Sequence, residues 1–334
     1  MDSDSIKIRL VGIDWGTTNL RAWAFDNDGN IVATRNSQEG ILNVADGNFE
    51  ATLMRLVGDW IAGNEQIPLI ASGMITSRQG WVEIDYLRSP VAVSELVNQN
   101  VSRRLECGNP VLFISGVSHT DASGMPDVMR GEETQIAGLL EQESGSQASV
   151  KLPLTVVLPG THSKWVYVDE QKQIAQFKTF MTGEVFALLS QHSILRHSVE
   201  QPTVDSADGQ EATEFDGDAF ERGIDSISEA DGQILNRIFH IRTLSLSARL
   251  GPAQASEYLS GMLIGSELHE GLIKTNARTE SLHNIVLVGD GALVKRYARA
   301  FSHFGCSFQT AQADTTARGL WLQYQSVSLS KSET

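Results

Sequence analysis

The run Asp14-Trp15-Gly16-Thr17-Thr18-Asn19-Leu20-Arg21 brings together a carboxylate, a glycine, two hydroxyls and a guanidinium. Ile6, Ile8, Leu10 and Ile13 lead into it as a buried strand, and Ala22-Trp23-Ala24-Phe25 resumes extended structure beyond it. A tight turn here leaves backbone N–H groups and two hydroxyls pointing into one small space, with no side chain at Gly16 to block close approach. That is chemistry for a phosphate. Asp14 at the rim suits a hydrated Mg²⁺, which takes one or two carboxylates and fills its shell with phosphate oxygens and water. A plain hairpin, with Asp and Thr serving only their own turn, is the competing reading.

A second strand-turn-strand repeats the layout. Leu154-Thr155-Val156-Val157-Leu158 runs into Pro159-Gly160-Thr161-His162-Ser163, and Lys164-Trp165-Val166-Tyr167-Val168 leads out. Gly160 and Thr161 stand where Gly16 and Thr17 stood, and His162, inside the turn, either donates to a phosphate or packs. Near the C-terminus His283 to Val288 reads as a strand entering Gly289-Asp290-Gly291, with a helix through Phe301; glycines at such a turn permit backbone approach to a ligand. Between the two Gly-Thr turns, Arg130-Gly131-Glu132-Glu133-Thr134 leads into a helix starting at Gln135, where carboxylates complement the helix dipole or do acid–base work. The polar loop Gly73-Met74-Ile75-Thr76-Ser77-Arg78-Gln79-Gly80-Trp81 follows the C-terminal end of a strand, where open α/β sheets place ligands.

These groups need a scaffold of strands first and helices after. A third strand at Ile31–Thr34 follows the Asp28-Gly29 turn, then a helix over Phe49–Ile61 and a buried strand at Ile67–Ala71. Such a meander followed by alternation is an α/β half-domain. Val111–Ile114 is a further strand, and 188–194, 215–227 and 233–246 read as helices. Ala253 to Ile273 is a stronger helix whose Gly261 and Gly265 imply close packing. Ser307–Thr310 and a helix from Thr315 to Tyr324 close the chain, with fraying expected from Ser326. The polar stretches Glu141–Lys151 and Gln201–Glu214 read as a linker and a loop, dividing the chain into domains at 1–142 and 152–326.

Composition narrows the function. The 334 residues carry 26 basic against 41 acidic side chains, a net charge of −15, with no basic block, so nucleic acid and anionic membranes are excluded as partners. No apolar run reaches membrane-spanning length, and Met1-Asp2-Ser3-Asp4-Ser5 lacks the basic and apolar regions of a signal peptide, so a cytoplasmic protein with reduced Cys107 and Cys306 is expected. There is no Gly-x-x-x-x-Gly-Lys-Ser/Thr, no Gly-x-Gly-x-x-Gly after a strand, no His-Glu-x-x-His and no Gly-x-Ser-x-Gly.

Asp14 to Arg21 resembles the first phosphate motif of the sugar-kinase, Hsp70 and actin superfamily. Trp-Gly-Thr-Thr-Asn-Leu-Arg-Ala-Trp, Met-Arg-Gly-Glu-Glu-Thr-Gln, Pro-Gly-Thr-His-Ser-Lys-Trp and Leu-Ser-Gly-Met-Leu-Ile-Gly-Ser-Glu are similar, in the same order, to the 2-dehydro-3-deoxygalactonokinases. The resemblance implies two ribonuclease-H-like, actin-like ATPase domains facing across a cleft, ATP and Mg²⁺ as cofactors, and phosphorylation of the 6-hydroxyl of 2-dehydro-3-deoxy-D-galactonate. It implies an adenosine site at Gly289, Asp290 and Gly291 and a sugar-acid site at the Arg78–Trp81 loop. For the substrate carboxylate Arg78 and Arg130 are the candidates, then Arg21, because arginine forks a carboxylate. For the base Glu132 comes first, Glu133 second and Asp127 third. A homodimer stays open. The alternative is a phosphohydrolase of the exopolyphosphatase or guanosine pentaphosphatase type, which shares the fold and a Gly-x-Glu-Glu segment. An Hsp70-like binding protein lacks its peptide-binding domain here, and a sugar-responsive repressor lacks room for a helix-turn-helix.

Overall fold

The computed structural model describes residues 7–142, 151–200, 215–230, 232–274, 284–289 and 291–330. Ile6, most of the expected linker, the 201–214 loop, His283 and Asp290 lie outside the described residues. The chain divides into two compact units, one of residues 1–153, 166–177 and 311–334, the other of 154–165 and 178–310.

The first unit opens with β1 (Leu10–Trp15), β2 (Leu20–Phe25) and β3 (Ile31–Ser37), an antiparallel meander. Helix α1 (Phe49–Ile61) starts where the Asn48 side chain accepts the Ala51 N–H at 3.1 Å. It buries Phe49, Leu53, Val57 and Ile61, one per turn; of the four residues whose helical spacing marks it in the sequence, Leu53 and Val57 are buried and Leu56 and Trp60 pack partly buried on the same core. Strand β4 (Leu69–Ser72) then returns parallel to β1. Short strands β5 (Leu87–Arg88) and β6 (Val91–Ala92) precede β7 (Asn100–Arg104), β8 (Pro110–Ile114), β9 (Val117–Thr120) and β10 (Pro126–Met129). The main sheet runs β3-β2-β1-β4-β8-β7, and a small sheet β10-β9-β5 forms beside it in the chain order. Its strands are two to four residues long, too short to print a period, and the sequence reading did not anticipate them.

Helix α2 (Glu132–Gln142) begins at Glu132, not at Gln135 as expected, because Thr134 and Gln135 both donate backward to the Gly131 carbonyl. After β11 (Leu154–Leu158), β12 (Ser163–Val168) and β13 (Gln173–Phe180) come α3 (Thr182–His192), α4 (Gly217–Ser228), α5 (His240–Leu246) and α6 (Pro252–His269). Helix α3 therefore starts at Thr182, ahead of the expected Leu188, and only the second half of 233–246 is α-helical. β14 (Ile285–Leu287), α7 (Gly291–His303), β15 (Phe308–Thr310) and α8 (Thr315–Ser330) complete the chain. The helical last element runs past Ser326, where fraying was expected. The second large sheet has the order β15-β14-β11-β12-β13-β6. Reading outward from the third strand of each meander, β3-β2-β1-β4-β8 and β13-β12-β11-β14-β15 are the same arrangement. This is the expected ribonuclease-H-like fold in two copies.

Both faces of the first sheet are covered. Val11, Ile13 and Trp15 pack with α1, while Leu10, Trp23 and Phe25 pack with Ala317 and Leu320 of α8. Helix α8 also crosses α2 at backbone contact: a Cβ on Gly138 would lie 1.9 Å from the Thr315 carbonyl, and one on Gly319 would lie 1.9 Å from the Thr134 carbonyl. In the second unit Gly261 presses on Phe220 of α4, the close packing its spacing predicts. Among the described residues no helix is long and apolar enough to cross a membrane.

Candidate active site

The first turn is held from behind. Gly40, Ile41 and Leu42 donate their N–H groups to the carbonyls of Thr18, Gly16 and Thr17 at 3.0, 3.0 and 3.2 Å, and the Trp15 indole donates to Glu39 O at 2.9 Å. Thr17 and Thr18 are exposed, and the Thr17 hydroxyl makes no hydrogen bond among the described residues. A Cβ on Gly16 would meet only Asn19 O, at 3.5 Å, an ordinary contact. The fold itself has no steric need for glycine there.

Asp14, partly buried at the end of β1, pairs in register with Arg21 on one side and Ser72 on the other. Its pKa is raised to about 6: burial penalises the charge, Arg21 opposes this, and the negative Glu132 adds to it. Gly73, at φ +92°, turns the chain so closely past Asp14 that a Cβ would stand 3.1 Å from Oδ1. Gly131, at φ +113°, comes in opposite Gly73. Thus the first turn, the Gly73 loop and the Gly-Glu-Glu segment converge on one carboxylate.

The two glutamates differ. Glu133 is fully buried, and both its oxygens accept the Gly131 N–H, at 2.9 and 2.8 Å. Burial, reinforced by the charge of Glu132, pushes its pKa up to about 8. Glu132 is partly exposed and accepts the Arg130 N–H at 2.9 Å. Asp127 lies in β10, in register with His119.

The three arginines also separate. Arg130 is buried, its guanidinium donating to Thr76 Oγ1 at 2.6 Å and to Ile84 O at 2.9 Å and lying 4.1 Å from the Tyr86 ring centroid. Its Nε, with the buried Ser72 and Ser77 hydroxyls, takes no partner among the described residues. Arg78 is exposed and unpaired among them, and Arg21 is exposed on β2. Trp81 packs into the core, stacked on Phe49 at 6.3 Å and edge-on to Phe113 at 5.5 Å.

In the second unit, the turn Gly160–His162 lies under the start of α3: Glu184 N donates to Thr161 O at 3.0 Å, and a Cβ on Gly183 would meet Gly160 O at 2.4 Å. His162 Nε2 lies 2.5 Å from the Glu184 carboxylate, so a neighbour already engages that nitrogen. Gly160, like Gly16, has no crowding: a Cβ would meet only His162 O, at 3.9 Å. A cavity of about 350 Å³ opens from Gly160 between α6 and α7, lined by Thr182, Phe186, Leu263, Arg296 and Tyr297. Gly289 and Gly291 have φ of +134° and +70°, and a Cβ on Gly291 would meet nothing within 4 Å. Among the described residues no cluster of three or more His, Cys, Asp or Glu could hold a metal by itself.

The sequence profile of the 2-keto-3-deoxy-galactonokinase family matches residues 14–322, from Asp14 into α8. This chain belongs to that family. It is 35% identical over 310 residues to the 2-dehydro-3-deoxygalactonokinase of Escherichia coli (strain K12), covering 92% of this chain and 94% of that one. A Rhizobium meliloti (strain 1021) protein of the same designation is 32% identical over 307 residues, covering 92% and 93% of the two chains. A crystal structure assigned to a 2-dehydro-3-deoxygalactonokinase from Sinorhizobium meliloti superposes with a TM-score of 0.77 at 31% identity, covering 95% of this chain and 99% of that one. The phosphohydrolase alternative finds no support in these likenesses.

Within this galactonokinase-family chain, some residues near Asp14 escaped the sequence reading. Thr76 Oγ1 stands 3.1 Å from Gly73 O and 3.0 Å from Ile114 O while accepting from Arg130, so it ties the Gly73 loop to β8. Gly40 is another, since a Cβ there would collide with the Thr17–Thr18 backbone at 2.3 Å. Neither stands out in sequence, because one threonine or glycine in a polar loop carries no spacing signal.

Proposed function

We propose that this chain is an ATP-dependent kinase that phosphorylates the 6-hydroxyl of 2-dehydro-3-deoxy-D-galactonate, giving 2-dehydro-3-deoxy-6-phospho-D-galactonate. Beyond family membership, one observation carries the reading: both Gly-Thr turns keep glycine where the surrounding protein leaves room for a side chain. A ligand pressed against the backbone is what would otherwise fill that room. The exposed Thr17 and Thr18 and the open Gly16 suit phosphate oxygens, and Gly160 with the cavity beside it suits the nucleoside end.

Asp14 fits a magnesium ion in donor type: it is a hard oxygen ligand, and such an ion takes one or two carboxylates and completes its shell with phosphate oxygens and water. When bound, that ion neutralises charge on the phosphates. The chain's own residues then do three things. Asp14 fixes where the charge is held. Glu132, partly exposed and electrostatically coupled to Asp14, takes the proton of the 6-hydroxyl as the new P–O bond forms and the bond to ADP breaks. Glu133, spent on the Gly131 N–H, shapes the loop that presents Glu132.

For the substrate carboxylate, exposed Arg78 is favoured over Arg130, which is buried with both terminal nitrogens donating to Thr76 and Ile84. Arg21, in register with Asp14, serves the phosphate side better than the sugar acid. The reading places the enzyme in the cytoplasm with its ATP supply. A coupled assay tests it: ADP release should require both ATP and 2-dehydro-3-deoxygalactonate. Phosphate release from polyphosphate or a guanosine polyphosphate without sugar acid would replace it with hydrolysis.

A further inference from the structure

Glu267, on α6, is 3% exposed and has no part in the chemistry above. Its carboxylate nevertheless takes four hydrogen bonds. Oε1 accepts from Ser163 Oγ at 2.7 Å and from the Trp165 indole at 2.8 Å. Oε2 accepts from Tyr297 OH at 2.6 Å and from Thr182 Oγ1. Four donors from β12, α3 and α7 therefore meet one acceptor-only group, which has about four lone-pair sites to offer. A buried carboxylate is costly unless satisfied in this way, and a single missing donor would leave part of it exposed to an apolar interior.

The donors are not scattered. Ser163 directly follows His162, so it fixes the outgoing end of the Gly160–His162 turn. Thr182 directly precedes Gly183, whose Cα side lies so close to Gly160 O that no Cβ fits. The same turn is thus gripped from the strand side and from the helix side by one carboxylate. Thr182 and Tyr297 also line the cavity that opens from Gly160. A shift of Glu267 would move the floor of the turn and two walls of the cavity together.

We propose that Glu267 is the positioning residue for nucleotide in this kinase: its four-donor carboxylate sets the Gly160–His162 turn and the adjoining cavity walls in the geometry that accepts ADP and ATP. The assignment rests on the kinase reading and deepens it. It differs from a purely structural role in what it moves. A structural carboxylate sets the melting temperature alone, whereas a positioning one sets nucleotide affinity while leaving sugar-acid affinity untouched.

Glu267→Gln keeps the shape. Trp165 can only donate, so the amide oxygen must face Ser163 and Trp165, and the NH₂ then faces Thr182 and Tyr297, whose hydroxyls can rotate to accept. Glu267→Leu removes every acceptor. Trp165→Phe removes one donor without touching the cavity lining. ADP affinity is measured by calorimetry, KM for the sugar acid and for ATP by steady-state assay, and folding by thermal melting. The expected series is a Kd for ADP raised about tenfold or more in Glu267→Gln, further in Glu267→Leu, and only a few-fold in Trp165→Phe, with sugar-acid KM within about twofold throughout. If Glu267→Leu does not fold, Glu267→Gln decides. A folded Glu267→Gln that binds ADP as wild type does, with only a lower melting temperature, overturns the proposal and leaves the kinase intact. Wild-type protein that binds no ADP removes both.

Discussion

Gly73 and Gly131 meet at their Cα atoms beside the Asp14 carboxylate: a Cβ added to Gly131 would stand 3.4 Å from the Gly73 Cα and 4.0 Å from Asp14 Oδ1. Both have positive φ, where an L side chain adds strain of roughly 1–3 kcal/mol. Gly73→Ala would also crowd the Trp15 carbonyl at 2.9 Å. Each alanine variant should melt several degrees lower and lose turnover by about a hundredfold, more than its stability loss explains. Thermal melting and turnover on the same preparations check this; normal turnover in either would show that the convergence on Asp14 is not needed for catalysis.

The opposite outcome is expected at the two open glycines. Gly16→Ala and Gly160→Ala fit the protein without collision, so the melting temperature should stay within about 2 °C of wild type. Their KM for ATP should rise about tenfold or more if the proposed ligand fills the room that the added methyl would take. Unchanged KM for ATP would mean these turns are ordinary hairpins.

The glutamates should separate by kinetics. Glu132→Gln keeps the size and removes the proposed base, and is expected to lower kcat about a hundredfold or more with ATP affinity nearly intact. Glu133→Gln should cost much less, since an amide oxygen still accepts the Gly131 N–H. Should the two effects be reversed, the proton acceptor is Glu133.

Glu133 also gives a signed pH prediction. With a folded pKa of about 8 against 4.5 for a free glutamate, the native chain holds this proton more tightly than the unfolded chain. The stability from Glu133 is therefore fully present below about pH 4.5 and is lost as pH rises through about 8. Between those limits wild type should lose melting temperature more steeply than Glu133→Gln, which has no carboxyl to ionise. Parallel pH–stability curves for the two would refute the burial argument.

Arg78 and Arg130 make a further pair. Arg78→Lys should raise KM for the sugar acid and leave KM for ATP alone, with no change in melting temperature. Arg130→Lys loses the fork onto Thr76 and Ile84 and is expected to destabilise by about 1–3 kcal/mol, since those partners are buried. A rise in sugar-acid KM in Arg130→Lys alone, at unchanged stability, would exchange their roles.

What was legible in the sequence was local. A strand that ends in Asp-x-Gly-Thr-Thr declares its turn because each residue type there answers to its own backbone geometry. Leu53, Leu56, Val57 and Trp60 declare a helix because they stand three and four apart. Glu267 could not be read as a hub, because its partners at 163, 165, 182 and 297 share nothing until the chain has folded. The small sheet around Val117–Thr120 stayed hidden because its strands are held by pairing and have no face pattern of their own.

The crossing of α2 and α8 has a consequence for synthesis. Glu132 and Glu133 sit on a helix whose close partner begins at Thr315, and the whole second unit is made between them. In synthesis order the proposed proton acceptor comes early, and the contact of Gly319 with the Thr134 backbone can form only after the second unit has been made. A chain released before Thr315 would carry every residue of the Asp14 site and still lack the helix that packs against the backbone of α2.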